Sequence, residues 1–402
     1  MSTGIRKVAR QHYIITIELP PDPMSGKRRR ESHTVHGPRE QADALLSKLM
    51  VDKQRGAYVA RARSTVADVC HDWLAEKSAT VSPRTAERYR SLLEGSVIPA
   101  LGALHVQKLT PEHVQAFYAE SLNSVSVATV RHRHVAFQQA LQRAVRRGLI
   151  TKNPAATVRQ GGNVTLKKAV HKEMRCLDSE EARILIGITA GTSLKVPVRL
   201  ALDTGMRLGE ILGLRWSDVS LDAGRLTVQQ TVLELSTKGT GLTFKEPKST
   251  SGRRTIDLAE TTTAFLREHR RIQREQRMVM GPGWADSDLV VCSACGEPVR
   301  PSTVSRHFGR LMSPPTPKPT KRNPEPVAAR GPFAVPCRFH DLRHTHATLA
   351  LAAGTPVHVV SRRLGHKSIQ ITLDLYAHVL PGQDQAAADA VTSAIYGTAQ
   401  AL

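Results

Sequence analysis

Apolar and polar positions alternate over residues 13–19, a period of two that predicts a strand. Turn-forming residues follow at 20–26, then the basic run Lys27, Arg28, Arg29, Arg30 and a second strand-like stretch ending at Val35. From 39 to 55 the period lengthens, and Ala42, Leu45, Leu46 and Leu49 recur at helical spacing. A small sheet with one helix is expected for residues 1–62. Residues 64–160 read as helices throughout. Thr65 with Asp68 has the form of a capping box ahead of Val66, Val69, Trp73 and Leu74. Ser82-Pro83 and Thr110-Pro111 each place an N-cap oxygen before a proline that lacks the N–H a first turn would waste. The last helix of this block carries Val130, Phe137, Leu141 and Ala144 on one stripe. Arg131, Arg133, Arg143, Arg146 and Arg147 lie largely off it and are read as phosphate contacts rather than as a merely solvated face. Asn153-Pro154 closes the block, and residues 160–168, with Gly161-Gly162, read as a linker.

A third block, 170–402, opens with a cap at Asp178 to Glu181. A helical pattern over 198–203 is broken by Thr204-Gly205, and a new helix starts at Arg207. Residues 226–235 and 242–258 are strand-like and predict a small antiparallel sheet. Helices then dominate, interrupted at 313–336 by eight prolines, which predict an extended, mobile loop. The expected class is α+β and mainly helical, in a multidomain chain of three parts: 1–62, 64–160 and 170–402.

Charge narrows the partners. Lys and Arg number 57 against 35 Asp and Glu, a formal charge of +22. A polyanion is the natural counterpart of such an excess, and nucleic acid is the commonest. Aromatics make up only 4% of residues. Extensive base stacking is then unexpected, which favours duplex DNA over single strands. No apolar run approaches the ~20 residues of a membrane span, and the first residues lack a signal-peptide core. A soluble, cytoplasmic protein with no membrane partner is expected. The cysteines, Cys70, Cys176, Cys292, Cys295 and Cys337, are odd in number and scattered, so no disulfide framework is expected. Cys292 and Cys295 form a lone CxxC without the second ligand pair a structural zinc site needs, and read as a turn with two reduced thiols.

Four fragments of the third block carry reactive side chains. Thr204-Gly205-Met206-Arg207-Leu208-Gly209-Glu210 sets an arginine just after a tight turn. Pro247-Lys248-Ser249 sets a lysine in a β-turn. His340-Asp341-Leu342-Arg343-His344-Thr345-His346 follows, then Leu364-Gly365-His366-Lys367-Ser368, with Tyr376 ten residues beyond His366. Singly, each has an ordinary reading: a salt bridge from Arg207 to Glu210, a surface lysine, a core tyrosine. The spacing of His340 and His344 would also suit a metal, although Arg343 between them disfavours a cation.

Taken in order, the fragments resemble the tyrosine recombinase, or phage integrase, family. The strings TGMRLGEILGLRWSDV, PKSTSGRRTIDL, FHDLRHTHATLALAAG and LGHKSIQITLDLYAHV carry that resemblance. It extends to residues 66–158, where SPRTAERYRSLL is similar to the family's core-binding helical domain. Residues 1–62 are similar to an arm-type DNA-binding domain. The resemblance implies a site-specific integrase that cuts and rejoins DNA through a 3′-phosphotyrosine, to integrate or excise a mobile element such as a prophage. It implies Tyr376 as nucleophile and Arg207 and Arg343 as the clamp on the scissile phosphate. Lys248 would be the general acid toward the 5′-oxygen, and His340 the proton acceptor for the tyrosine. His366 would donate to a phosphate oxygen, and Glu210 and Asp341 would orient the arginines. It also implies double-stranded DNA as partner, a homotetramer on paired sites, and no metal or nucleotide cofactor. Whether excision needs a helper, or a host architectural protein takes part, stays open. A non-catalytic DNA-binding factor on the same fold would not need the whole residue set. A metal-dependent nuclease would need an acidic cluster, which is missing. A tyrosine-type topoisomerase would relax DNA without site preference.

The Lys248 role has a direct test. A general acid matters because an alkoxide leaves poorly. With sulfur in place of the bridging 5′-oxygen the leaving group is a thiolate, whose acid ionises near ~8.5. Lys248→Ala is expected to cleave ordinary DNA slowly and to recover on the 5′-thio substrate. Equal slowness on both, measured by single-turnover cleavage, would assign the proton to another group.

Overall fold

A computed structural model of the chain describes residues 3–19, 21, 26, 28–54, 63–157, 174–235, 241–246, 252–313, 332–376 and 391–395. The chain divides into two compact units, Met1–His171 and Lys172–Leu402.

In the first unit, β1 (Gly4–Ala9), β2 (His12–Leu19) and β3 (Arg29–His36) form an antiparallel sheet in that order. The alternation in β2 buries Tyr13, Ile15 and Ile17 on one face. There α1 (Arg39–Gln54) covers them with Ala42, Leu45, Leu46 and Leu49. Strand β1 was not expected, because its last four residues are exposed and give no alternation. The run at the start of β3 places Arg28, Arg29 and Arg30 in solvent, while Lys27 lies outside the described residues.

The helices α2 (Val66–Ser78), α3 (Pro83–Leu92), α4 (Ile98–Leu101), α5 (Pro111–Leu122), α6 (Val127–Arg146) and α7 (Pro154–Thr157) follow. The Thr65 amide donates to Asp68 at 2.8 Å, and the Asp68 amide donates to Thr65 Oγ1 at 3.2 Å, which closes the box the sequence suggested. Between α3 and α4 the backbone widens into a π-turn, Leu93–Val97. Pro99 explains it: its ring would collide with the carbonyl four residues back in a regular helix. Trp73, Phe117, Tyr118, Phe137 and Leu141 fill the core of this bundle.

One arginine read from the α6 pattern is not on the surface. Arg143 is 6% exposed, and its Nε donates to Glu76 of α2 at 2.5 Å while Asp72 sits 3.5 Å from Nη1. Two carboxylates across the helix interface draw the guanidinium inward and offset its desolvation. Arg133 is half-buried and donates to Ser121 Oγ at 3.0 Å, and Arg131 is half-buried too. Arg146 and Arg147 remain exposed, Arg147 within 3.8 Å of Asp72.

The second unit runs through α8 (Ser179–Thr189), α9 (Lys195–Thr204) and α10 (Leu208–Leu212). Five strands follow: β4 (Val219–Ser220), β5 (Arg225–Val228), β6 (Thr231–Glu234), β7 (Leu242–Lys245) and β8 (Arg254–Asp257). They form two small antiparallel sheets, β4-β5-β8 and β6-β7. Then come α11 (Glu260–Met280), α12 (Pro301–Met312), α13 (Asp341–Ala352), α14 (Val357–Leu364) and α15 (Ile369–Tyr376). Leu200, Met206, Ile211, Leu212, Phe308 and Leu342 belong to the main core, and Leu351, Val360, Leu364 and Tyr376 to a smaller one under α13–α15. Cys292 and Cys295 flank a turn in which Gln273 Nε2 donates to Cys292 Sγ at 2.8 Å. Most of the proline-rich segment, 314–331, lies outside the described residues. Among the described residues no helix is long and apolar enough to cross a membrane.

Because Arg143 is engaged within the bundle, Arg143→Ala is expected to lower the midpoint of thermal unfolding. The salt dependence of DNA binding should be unchanged. A slope reduced by about one unit, as for loss of one phosphate contact, would return Arg143 to the binding surface.

Candidate active site

The site is built from helix ends. Helix α9 stops at Gly205, whose left-handed φ of +67° forms the C-cap. A side chain there would be strained, and its Cβ would come within 2.7 Å of both His346 Cδ2 and Leu364 Cδ2. The chain then turns through buried Met206 to Arg207, the N-cap of α10. Glu210 accepts from the Arg207 amide and from Arg207 Nη1, both at 2.9 Å, so the carboxylate fixes backbone and side chain together.

Arg343 lies on the first turn of α13 and is 3% exposed. Its Nη1 donates to the Gly205 carbonyl and its Nη2 to the Leu364 carbonyl, each at 2.7 Å. It therefore joins the C-terminus of α9 to that of α14, where unsatisfied carbonyls and the negative dipole end favour a cation. Burial, with the Arg207 charge beside it, pulls the Arg343 pKa down to about 9. Gly365, again left-handed, ends α14 and delivers His366. His366 Nδ1 pairs with Thr372 Oγ1 at 2.8 Å, which leaves Nε2 as the nitrogen able to meet a ligand.

Tyr376 is 1% exposed, and its hydroxyl lies 2.6 Å from His344 Nδ1. His340 packs edge-on against His344, with ring centroids 5.1 Å apart. The imidazole next to the tyrosine in this state is thus His344, where the sequence reading had pointed to His340. Burial pushes the tyrosine up to about 12. Burial also pushes His344, His346 and His366 down to about 4, helped by neighbouring cations, and lowers His340. Neutral imidazoles in a field of arginines are the result.

Of the two carboxylates expected to orient the arginines, one does otherwise. Asp341 pairs with Arg338, through the amide and Nη2 at 2.7 Å each, and so caps the entry to α13. It stands at the helix start, where the residue three positions back is its nearest cation. Lys248 lies outside the described residues, between β7 and β8. Two arginines were missed. Arg254 is 7% exposed and grips Glu210 with both Nη atoms, at 3.2 and 2.8 Å. Arg363 donates to the carbonyls of Asp203 and Asp257 and to His346 Nε2. The signal for Arg254 was available: it takes an inward position of β8, in step with Ile256, where a charge has no place unless it is paired.

The depressed histidines set a pH dependence. An unfolded chain protonates each near 6.5, whereas the folded site holds three of them neutral to about 4. The stability they contribute is complete above pH 6.5 and is lost as pH falls toward 4. The urea midpoint, followed by tryptophan fluorescence, is expected to drop across that window, less steeply in His366→Gln. A midpoint flat from pH 6.5 to 4.5 would contradict this.

Comparison with known proteins places the chain. The model of the phage integrase family matches residues 175–383, and that of the phage integrase central domain matches residues 66–161. An integrase of Streptomyces ambofaciens is 28% identical over 371 residues, covering 91% of this chain and 89% of the relative. A XerC-like tyrosine recombinase of Caldanaerobacter subterraneus subsp. tengcongensis is 24% identical, covering 95% and 96%. Among solved structures, the Tn1549 transposon integrase in complex with a circular intermediate DNA aligns with a TM-score of 0.64 at 19% identity, over 82% of this chain and 99% of that one. A lambda integrase dimer bound to a COC′ core site aligns at 0.52 and 17%, over 94% and 95%. At those identities the likeness is one of fold. The family model spans more than half of the sequence and contains the cluster around Arg207, Arg343 and Tyr376, and the chain belongs to the phage integrase family of tyrosine-type site-specific recombinases.

Proposed function

We propose that Tyr376 attacks the scissile phosphate of duplex DNA, forming a 3′-phosphotyrosine bond as the P–O5′ bond breaks. Arg207 and Arg343 meet the charge that grows on the non-bridging oxygens, which a planar fork does better than a point charge. His366 donates through Nε2 to one of those oxygens. Lys248 gives its proton to the departing 5′-oxygen. The tyrosine proton passes to His340 once the hydroxyl has left its buried bond to His344. The observation that carries this reading is the position of Arg343. Its two bonds bring the turns bearing Arg207 and His366 to one place, over the helix pair that holds Tyr376. Among the described residues, Glu210 is the carboxylate bonded to Arg207 and Arg343 is held by carbonyls, so the cluster suits a phosphate.

The remaining parts follow the same reading. The exposed Arg28, Arg29 and Arg30, with Lys27, contact DNA outside the crossover core, and residues 1–62, 64–160 and 170–402 act as arm-binding, core-binding and catalytic domains. Lambda integrase has been solved as a tetramer bound to a Holliday junction. A tetramer on two paired sites, with the alanine-rich C-terminal segment docked on a neighbouring protomer, is the corresponding assembly here. Residues 391–395 of that segment are helical and exposed, and 377–390 lie outside the described residues.

A suicide DNA that traps the covalent complex tests the nucleophile. Tyr376→Phe keeps the ring and its packing, so it should bind a half-site normally and form no adduct. Arg343→Lys should lose ~100-fold or more in cleavage with a smaller loss of affinity, because the clamp acts mainly on the transition state. Undiminished adduct from the phenylalanine variant would overturn the assignment.

A further inference from the structure

The catalytic arginines are themselves held, and the holder of Arg207 is gripped from behind. Arg207 has a side chain 42% exposed. Left to itself, such a side chain samples many rotamers. What restricts it is Glu210, whose carboxylate is 7% exposed and so has no water to share its charge. Burial alone would raise the Glu210 pKa, but the bonds from Arg254 and the charges of Arg254 and Arg207 outweigh it and keep the carboxylate ionised.

Arg254 meets that carboxylate as a fork: Nη2 to Oε2 at 2.8 Å and Nη1 to Oε1 at 3.2 Å. These are the same two oxygens that receive Arg207, Oε1 from its Nη1 and Oε2 from its backbone amide. Arg254 Nη1 also donates to the Gly252 carbonyl at 3.3 Å, and Nε reaches the carbonyl of Arg363 at 2.7 Å. That carbonyl adjoins the one at Leu364 that Arg343 holds, two residues before Gly365-His366 is complete. One guanidinium thus spans the gap between the wall that carries Arg207 and the wall that carries Arg343's acceptor and His366. It also sits on the strand that follows the segment containing Lys248.

We propose that Arg254 is a positioning residue for phosphate chemistry: through Glu210 it fixes the direction of Arg207, and through the Arg363 carbonyl it sets the distance from Arg207 to the His366 turn. The proposal rests on the reading of Arg207 as part of the phosphate clamp. Lysine cannot replace it, since a single ammonium reaches Glu210 or the Arg363 carbonyl but lacks the planar fork that meets both.

The test uses full-length protein and two suicide half-sites, one with an ordinary scissile phosphate and one with a methylphosphonate in both configurations. The methyl group replaces a non-bridging oxygen and removes its charge. A defect in charge stabilisation then shrinks, and a defect in folding or DNA binding does not. The ratio of cleavage rates on the two DNAs, taken from one preparation, cancels the fraction of protein that is folded. Arg254→Lys is expected to fall by ~10–100-fold on the phosphate and to approach the wild-type rate on the methylphosphonate. Glu210→Gln, which keeps the side-chain size, should do the same, and it decides the matter by the same ratio if Arg254→Lys yields no folded protein. Equal deficits on both DNAs, with Arg207→Ala recovering on the methylphosphonate, would overturn the inference and leave Arg254 as a fold staple. Failure of Arg207→Ala to recover would overturn the clamp reading, and this inference with it.

Discussion

A guanidinium cannot be buried without acceptors for its N–H groups, because an isolated charge in a low-dielectric interior costs far more than packing returns. The second unit is arranged around that requirement. Arg343, Arg254 and Arg363 are all largely withdrawn from water. Besides Glu210, which Arg254 holds, their acceptors include the carbonyls at Asp203, Gly205, Arg363 and Leu364, where α9 and α14 end, and Asp257 at the end of β8. Helix C-termini have carbonyls without intrahelical partners, so each burial solves two problems together. The ends of α9 and α14 are thereby pinned against α13, and the loops that leave them have little choice of direction. Gly205 and Gly365 follow from this, since only a left-handed turn leads the chain off those carbonyls at once.

The same arrangement determines the electrostatics. Among the described residues, Arg207, Arg254 and Arg343 gather around the single carboxylate of Glu210, and the histidines nearby stay neutral instead of adding to the positive charge. On the proposed function a bound phosphate supplies the missing charge, and the bonds from Glu210 and the two helix ends already hold the arginines for it, which is what preorganisation means in energetic terms.

Much of this was legible in the sequence where a local rule governs. Thr65-Asp68, Ser82-Pro83, Thr110-Pro111 and Asp178-Glu181 announced helix starts, and each start is where the chain places it. The alternation of β2 and the stripe of α1 predicted which residues meet. The four fragments with reactive side chains stood out by their order along the chain. What escaped was decided by partners distant in sequence. Arg143 leaves the surface only because Asp72 and Glu76 wait on another helix. Arg254 is inward only because Glu210, 44 positions earlier, needs it. The resemblance implied that Asp341 orients the arginines of the clamp, but its carboxylate is taken by the Arg338 amide and guanidinium. His344 and His340 differ by one helical turn, and only the placement of α15 says which one the tyrosine touches. Strand β1, an edge with little buried surface, carries no pattern to read.

The buried hydroxyl of Tyr376 bears on how such a protein behaves between encounters. On the proposed chemistry, a tyrosine hydroxyl that is 1% exposed, kept neutral by burial and bonded to a neutral imidazole has to leave that bond before it meets a phosphate outside the fold. A strongly basic protein spends most of its time on DNA of the wrong sequence, gliding along backbones that its charge cannot tell apart. On the proposed chemistry the hydroxyl stays withdrawn during that search. On that reading, contact with DNA does not by itself threaten a strand, and cutting waits for the release of the Tyr376 hydroxyl from His344.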